Sequence, residues 1–170
     1  MSVKKCIYVA LPLILILASC GQSLPNDSLR TINQGEIIGI ESDHNTFAWL
    51  GIPFAEPPVG NLRWKAPIQP KKFDSRFEAS KFSQVCFQAE GIMTGNSGGW
   101  TGSEDCLYLN VWSPAWSAEQ LKKKNVPVMM WIHGGGNTIG SADTYYPTDF
   151  VSQHEVCLLY TSDAADESSS

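Results

Sequence analysis

Val126 to Ile132 is an apolar run broken only by Pro127, and it ends directly on His133-Gly134-Gly135-Gly136. A short segment that is apolar on both faces reads as a strand buried in a parallel sheet with helices covering it. Parallel strands need crossover connections, and the residues around the run do not supply enough βα units. The expectation is an α/β domain present only in part. The three glycines carry no Cβ, so successive backbone N–H groups can turn toward one point at close range. Fixed donors of that kind stabilise an oxyanion developing in acyl transfer. A bare Gly-Gly-Gly would serve equally well as a flexible turn. Its place after a buried strand, led by a histidine, favours the chemical reading.

The start of the chain carries an address. Met1 to Lys5 holds two lysines, Ile7 to Ala18 is apolar apart from Pro12, and Leu17-Ala18-Ser19-Cys20 follows. A short basic stretch, an apolar stretch and small residues at its end describe an export signal. The run is shorter than the roughly 20 apolar residues that a spanning helix needs. Its ending resembles a bacterial lipoprotein box, which implies lipidation at Cys20; an ordinary signal cleaved nearby, with Cys20 incidental, is the alternative. Residues 1–20 are thus read as a lipoprotein-type signal and 21–34 as a tether. Gly21 follows the cysteine, with no Asp to indicate retention at the inner membrane. The expected location is the bacterial cell envelope, as an outer-membrane lipoprotein or a periplasmic or secreted protein, with a lipid anchor to the membrane. Lys and Arg total 12 against 17 Asp and Glu. That acidic balance offers no basic footprint, so nucleic acid is not an expected partner.

Five cysteines are present. Cys6 lies in the leader, Cys20 is the lipid site and Cys157 belongs to a doubtful tail. Cys86 and Cys106 remain, one pair for a compartment in which disulfides persist; two unpaired buried thiols are the alternative. Between them, Phe87 to Asp105 is rich in Gly, Ser, Thr and Asn and reads as a long loop tied at its base. No spacing of Cys or His fits a zinc site, so no metal is expected, and no cofactor is implied.

Gly35 to Ile40 and Thr46 to Leu50 are β-prone runs separated by the polar cluster Ser42-Asp43-His44-Asn45, a hairpin signal. Gly51 to Pro70 holds five prolines and is expected to wrap over a surface without regular structure. Leu107 to Trp112 reads as a strand stopped by Pro114, and Trp116 to Lys124 as one or two helical turns.

Taken together, these stretches resemble the opening part of a type-B carboxylesterase, the cholinesterase-like branch of the α/β-hydrolases. Phe47 to Gly60, followed by Leu62-Arg63-Trp64, is similar to that family's early proline-rich segment. Ser103-Glu104-Asp105-Cys106-Leu107-Tyr108-Leu109-Asn110-Val111-Trp112 is similar to its most diagnostic signature. Cys86 fits the partner of Cys106 in the disulfide that closes the family's long surface loop, and Val126 to Gly136 fits the oxyanion strand and turn. The resemblance runs from about Gly35 to Val156. It implies an α/β fold, an N-terminal portion of the α/β-hydrolase domain with a small antiparallel hairpin and the first strands of a central mixed sheet. It further implies that Gly135 and Gly136 donate N–H groups to the oxyanion, and that His133 and Gly134 organise the turn. The family's catalytic triad runs Ser, then Glu or Asp, then His, all beyond the glycine turn. None of the triad is therefore expected in these residues, and the fragment itself is expected to be inactive. The implied partner of the whole enzyme is a small-molecule ester. Asn137 departs from the aromatic that often follows the glycines. The same fold also serves as a non-catalytic adhesion module, but such a module has no need of oxyanion donors.

Gly95-Asn96-Ser97-Gly98-Gly99 matches Gly-x-Ser-x-Gly, yet Ser97 is not expected to be a nucleophile. A nucleophile elbow needs a buried strand before the serine and a helix after it, and this stretch is polar and glycine-rich on both sides. Trp100 nearby reads as a gorge-lining or packing aromatic. At the other end, Cys157 to Glu167 can be written as the in-frame translation of a transposase adapter used for sequencing libraries. Residues 157–170 are therefore read as a non-native tail with no functional weight, and 35–156 as the domain.

Overall fold

A computed structural model describes residues 26–90, 98–136 and 138–161. Among the described residues, ten strands and two α-helices follow in chain order: β1 (Leu29–Ile32), β2 (Gly35–Ile38), β3 (Ile40–Ser42), β4 (Thr46–Pro53), β5 (Phe77–Glu78), β6 (Gln88–Glu90), β7 (Gly99–Thr101), β8 (Tyr108–Pro114), α1 (Ala118–Lys124), β9 (Val128–Trp131), α2 (Thr148–His154) and β10 (Cys157–Thr161). The main sheet has the order β3-β4-β8-β10-β9, with β1-β2-β5 as a small second sheet and β6-β7 as a ribbon. Strands β3, β4, β8 and β10 pair antiparallel in succession, and β10 then pairs parallel with β9. The sheet is mixed, as expected.

The hairpin between β3 and β4 turns through Asp43, His44 and Asn45. His44 and Asn45 both adopt positive φ, at 56° and 55°, a conformation that asparagine tolerates better than most residues. Strand β4 is buried on both faces, which explains its uninterrupted apolar character. Ala48 and Leu50 join Trp112, Val151, Leu158 and Tyr160 in one core cluster, whereas Phe47, Trp49 and Ile52 join Ile37 and Ala79 in another. A bulge lies between Trp49 and Ile52 in the β4–β8 pairing. Gly51 within it has a φ of +68°, and a Cβ there would strike the Lys81 carbonyl. Helix α1 starts on a capping box formed by Ser117 and Gln120 and stops at left-handed Asn125. In α2, Val151 and Thr148 face the core, and His44 Nδ1 lies 3.1 Å from Thr148 Oγ1, fastening the helix to the hairpin turn.

One expectation is corrected. Within the supposed tether 21–34, Leu29–Ile32 is a strand paired with β2. Arg30 there donates to the Trp116 carbonyl at 2.9 Å and lies 4.8 Å from the centre of the Trp49 ring. Strand β8 stops at Pro114, as expected, and runs two residues beyond Trp112. Residues Cys157–Thr161 form β10, with Leu158 and Tyr160 buried. Alternating apolar residues suffice to fill a strand position between two waiting neighbours. Strand β9 is exposed along its whole length. Among the described residues it pairs with β10 alone, so its composition reports what it could bury rather than what it does bury.

Candidate functional site

Strand β9 delivers the chain to His133, and the glycines then reverse it. Gly135 and Gly136 sit at φ +142° and +64°, both of which L-residues rarely adopt. A Cβ on Gly135 would collide with the Ile139 carbonyl, because that oxygen closes over the turn. The Gly135 carbonyl accepts from the Thr138 and Ile139 amides, both at 3.3 Å, and from Thr138 Oγ1 at 3.1 Å. The bend is thereby tied by its carbonyl, whereas the Gly135 and Gly136 N–H groups donate to no backbone carbonyl among the described residues. His133 Nδ1 lies 2.9 Å from the Gly134 carbonyl. A carbonyl only accepts, so this nitrogen carries the ring proton. The ring also packs edge-on to Tyr160 at 6.3 Å.

Tyr160 links the turn to the sheet. Its ring is fully buried, and its hydroxyl donates to the Ser141 carbonyl at 3.3 Å. Burial first, and the neighbouring Tyr145 second, push its phenol up to about 12. Tyr108, at the start of β8, is also raised to about 12, by burial and by its hydrogen bond to Asp105 Oδ1 at 2.9 Å. Beside the turn, Met129, Trp131, Tyr145, Tyr146, Phe150 and Tyr160 line an open groove of about 500 Å³.

Cys86 and Cys106 form a disulfide with Cα atoms 5.0 Å apart. The loop that they close is not irregular throughout, because β6 and β7 pair within it. Phe87 and Trp100 stack across that ribbon at 5.3 Å, both largely exposed. Trp100 therefore rests on another aromatic rather than in the core. Cys20, Ser97 and Asn137 lie outside the described residues. Gln88 and Tyr160 were missed by sequence reasoning. A glutamine in a polar loop carries no signal, and the tyrosine stood in a segment read as foreign.

A mixed sheet whose parallel edge strand runs straight into a glycine turn is the opening portion of an α/β-hydrolase fold. Solved structures agree. A PNB esterase superposes with a TM-score of 0.67 at 32% identity, over 81% of this chain and 27% of that one. The Geobacillus stearothermophilus carboxylesterase gives 0.63 at 30% identity, over 79% and 26%. The Carboxylesterase family model matches residues 26–161, and the chain belongs to this family. Fumonisin B1 esterase of Sphingopyxis macrogoltabida is 41% identical over 77% of this chain and 23% of its own length. Acetylcholinesterase of Electrophorus electricus is 40% identical over 64% and 18%, and para-nitrobenzyl esterase of Bacillus subtilis is 35% identical over 76% and 26%. The chain thus spans about a quarter or less of the length of these relatives.

Proposed function

We propose that the chain is the N-terminal part of an exported serine hydrolase of carboxylic esters, and that the bend at His133–Gly136 is its oxyanion hole. The observation that carries this reading is the glycine turn: its carbonyl is engaged inside the bend, while the Gly135 and Gly136 amides, both at positive φ, donate to no backbone carbonyl among the described residues. In the whole enzyme a serine on a strand-turn-helix elbow attacks the ester carbonyl. A histidine takes the proton from that serine and passes it to the leaving alcohol, and an acidic residue orients the histidine. The Gly135 and Gly136 amides hold the negatively charged tetrahedral oxygen. His133, with its Nδ1 proton directed at the Gly134 carbonyl, shapes the turn and is not the base. Small ester substrates are the class acted on by the esterases it resembles.

The test uses the gene extended through its downstream coding sequence. The long form turns over a short-chain aryl ester, and Gly135→Ala lowers kcat by about 10²–10³-fold with little change in KM. A long form without a serine elbow, or a Gly135→Ala variant of full activity, overturns the reading. The 170-residue chain alone is expected to show no turnover; activity lost on Ser97→Ala would show that the decoy serine is the nucleophile.

Export through residues 1–20, with lipidation of Cys20 and a place in the bacterial envelope, belongs to the same proposal. Metabolic labelling with a fatty acid, abolished by Cys20→Ser, tests it. Residues 157–170 keep the reading of an adapter-derived end. Resequencing of the locus replaces that end with a natural continuation; recovery of the same residues on an intact genome removes the idea.

A further inference from the structure

The disulfide loop and the glycine turn meet through one side chain. Gln88 Oε1 accepts the Gly140 amide at 2.6 Å, while Gln88 Nε2 donates to the Gly140 carbonyl at 2.9 Å and to the Cys86 carbonyl at 3.1 Å. Both protons of the amide nitrogen are used, and both backbone groups of Gly140 are held by one planar group. The clamp is anchored from behind. Its own carbonyl partner belongs to Cys86, whose sulfur is bonded to Cys106, and Gln88 starts a strand paired at Thr101. From Gly140 the contact passes to the turn. Gly140 has a φ of +137°, and a Cβ on it would run into the His133 ring and the Gly134 carbonyl. The imidazole therefore lies directly against the backbone that Gln88 fixes, and its Nδ1 lies 2.9 Å from the Gly134 carbonyl.

We propose that Gln88 is a positioning residue for the oxyanion turn: its carboxamide fixes Gly140, Gly140 seats the His133 ring, and that ring sets the Gly134–Gly136 bend. This rests on the oxyanion reading above for its functional meaning, but the clamp itself involves no substrate. A planar amide suits the task because it offers a donor and an acceptor side by side, matching the carbonyl and N–H of a single residue. Glutamate offers acceptors only when ionised, and asparagine is one methylene too short to reach from the same strand position.

The experiment follows the full 170-residue chain by backbone amide NMR and hydrogen exchange, with Gln88→Ala and Gln88→Glu beside the parent. In Gln88→Ala the Gly140 amide exchanges about tenfold faster, as expected for one lost hydrogen bond, and the Gly134, Gly135 and Gly136 resonances move. In Gln88→Glu the Gly140 amide stays protected by the remaining acceptor, yet the turn resonances still move, because the Gly140 carbonyl has lost its donor. Amides of β8 keep their exchange rates in both variants and report an intact fold. Should Gln88→Ala fail to fold, the glutamate variant decides by the same turn resonances. Unchanged Gly140 protection in the alanine variant overturns the clamp; lost protection without movement of Gly134–Gly136 overturns its link to the turn. Neither result touches the oxyanion reading, which the kcat of the extended form tests separately.

Discussion

Asn110 holds three strands with one side chain. It is buried in β8, its Oδ1 accepts the Gly51 amide of the β4 bulge at 2.9 Å, and its Nδ2 donates to the Tyr160 carbonyl in β10 at 3.4 Å. Replacement by leucine keeps the volume but leaves the Gly51 N–H buried without an acceptor. Urea unfolding of Asn110→Leu is expected to show a loss of about 1–3 kcal/mol; an unchanged midpoint would mean that water replaces the amide at the bulge. The two raised phenols give a second test. Tyr108 and Tyr160 stand at about 12 in the fold, against about 10 for a free tyrosine. The fold favours their protonated forms, so this contribution is complete below pH 10 and drains away as pH rises toward 12. Ultraviolet titration of tyrosinate is expected to show two late groups, and stability is expected to fall over the same window. Phe87→Leu and Trp100→Leu leave that titration unchanged. None of this was legible in the sequence, where Asn110 was one polar residue in a strand-like run. Its value comes from a bulge that only tertiary pairing creates.

At the level of elements, local patterns were legible where chemistry acts within a few residues. The polar cluster Ser42 to Asn45 marked the hairpin, and Trp116 to Lys124 read as helical turns, which in the fold start on a capping box of Ser117 and Gln120. Elements defined by a partner were not legible. Leu29–Ile32 carries Arg30 and Thr31 and looks like a tether until β2 supplies its ladder. Likewise the ribbon of β6 and β7 is hidden in a glycine-rich composition, although the cysteines at its base were read as a pair. That base can be cut directly. The double substitution Cys86→Ser with Cys106→Ser opens a loop with a sequence separation of 20, at a cost of roughly 3 kcal/mol in the chain-entropy account. Thermal melts of the oxidised parent and the double variant measure it, and equal melting temperatures would show that the bond constrains little.

The whole molecule is two-sided in its satisfaction. On the β3 side the main sheet is buried by the small sheet and by α2, and both faces of β4 are covered. On the β9 side, Val128 and Met130 are exposed by 69% and 62% on a strand that, among the described residues, pairs with β10 alone, and Ile132 just beyond it is exposed by 60%. Natural edge strands carry charge, proline or a bulge where they face solvent. Here no Asp, Glu, Lys or Arg occurs from Val126 to Ala142, and Pro127 precedes the strand rather than interrupting it. The free ladder of N–H and C=O groups and the apolar flank are thus presented together, a combination that promotes pairing between chains. Sequence hydrophobicity read this strand as one that expects a neighbour on each side; among the described residues only β10 supplies one. Light scattering of the purified chain is expected to show association that grows with protein concentration. Met130→Lys, which adds one charge at an exposed position and disturbs no buried contact, is expected to suppress it while altering unfolding free energy by no more than about 0.5 kcal/mol. A parent chain that remains monomeric across that range would show that the edge is protected by something other than charge.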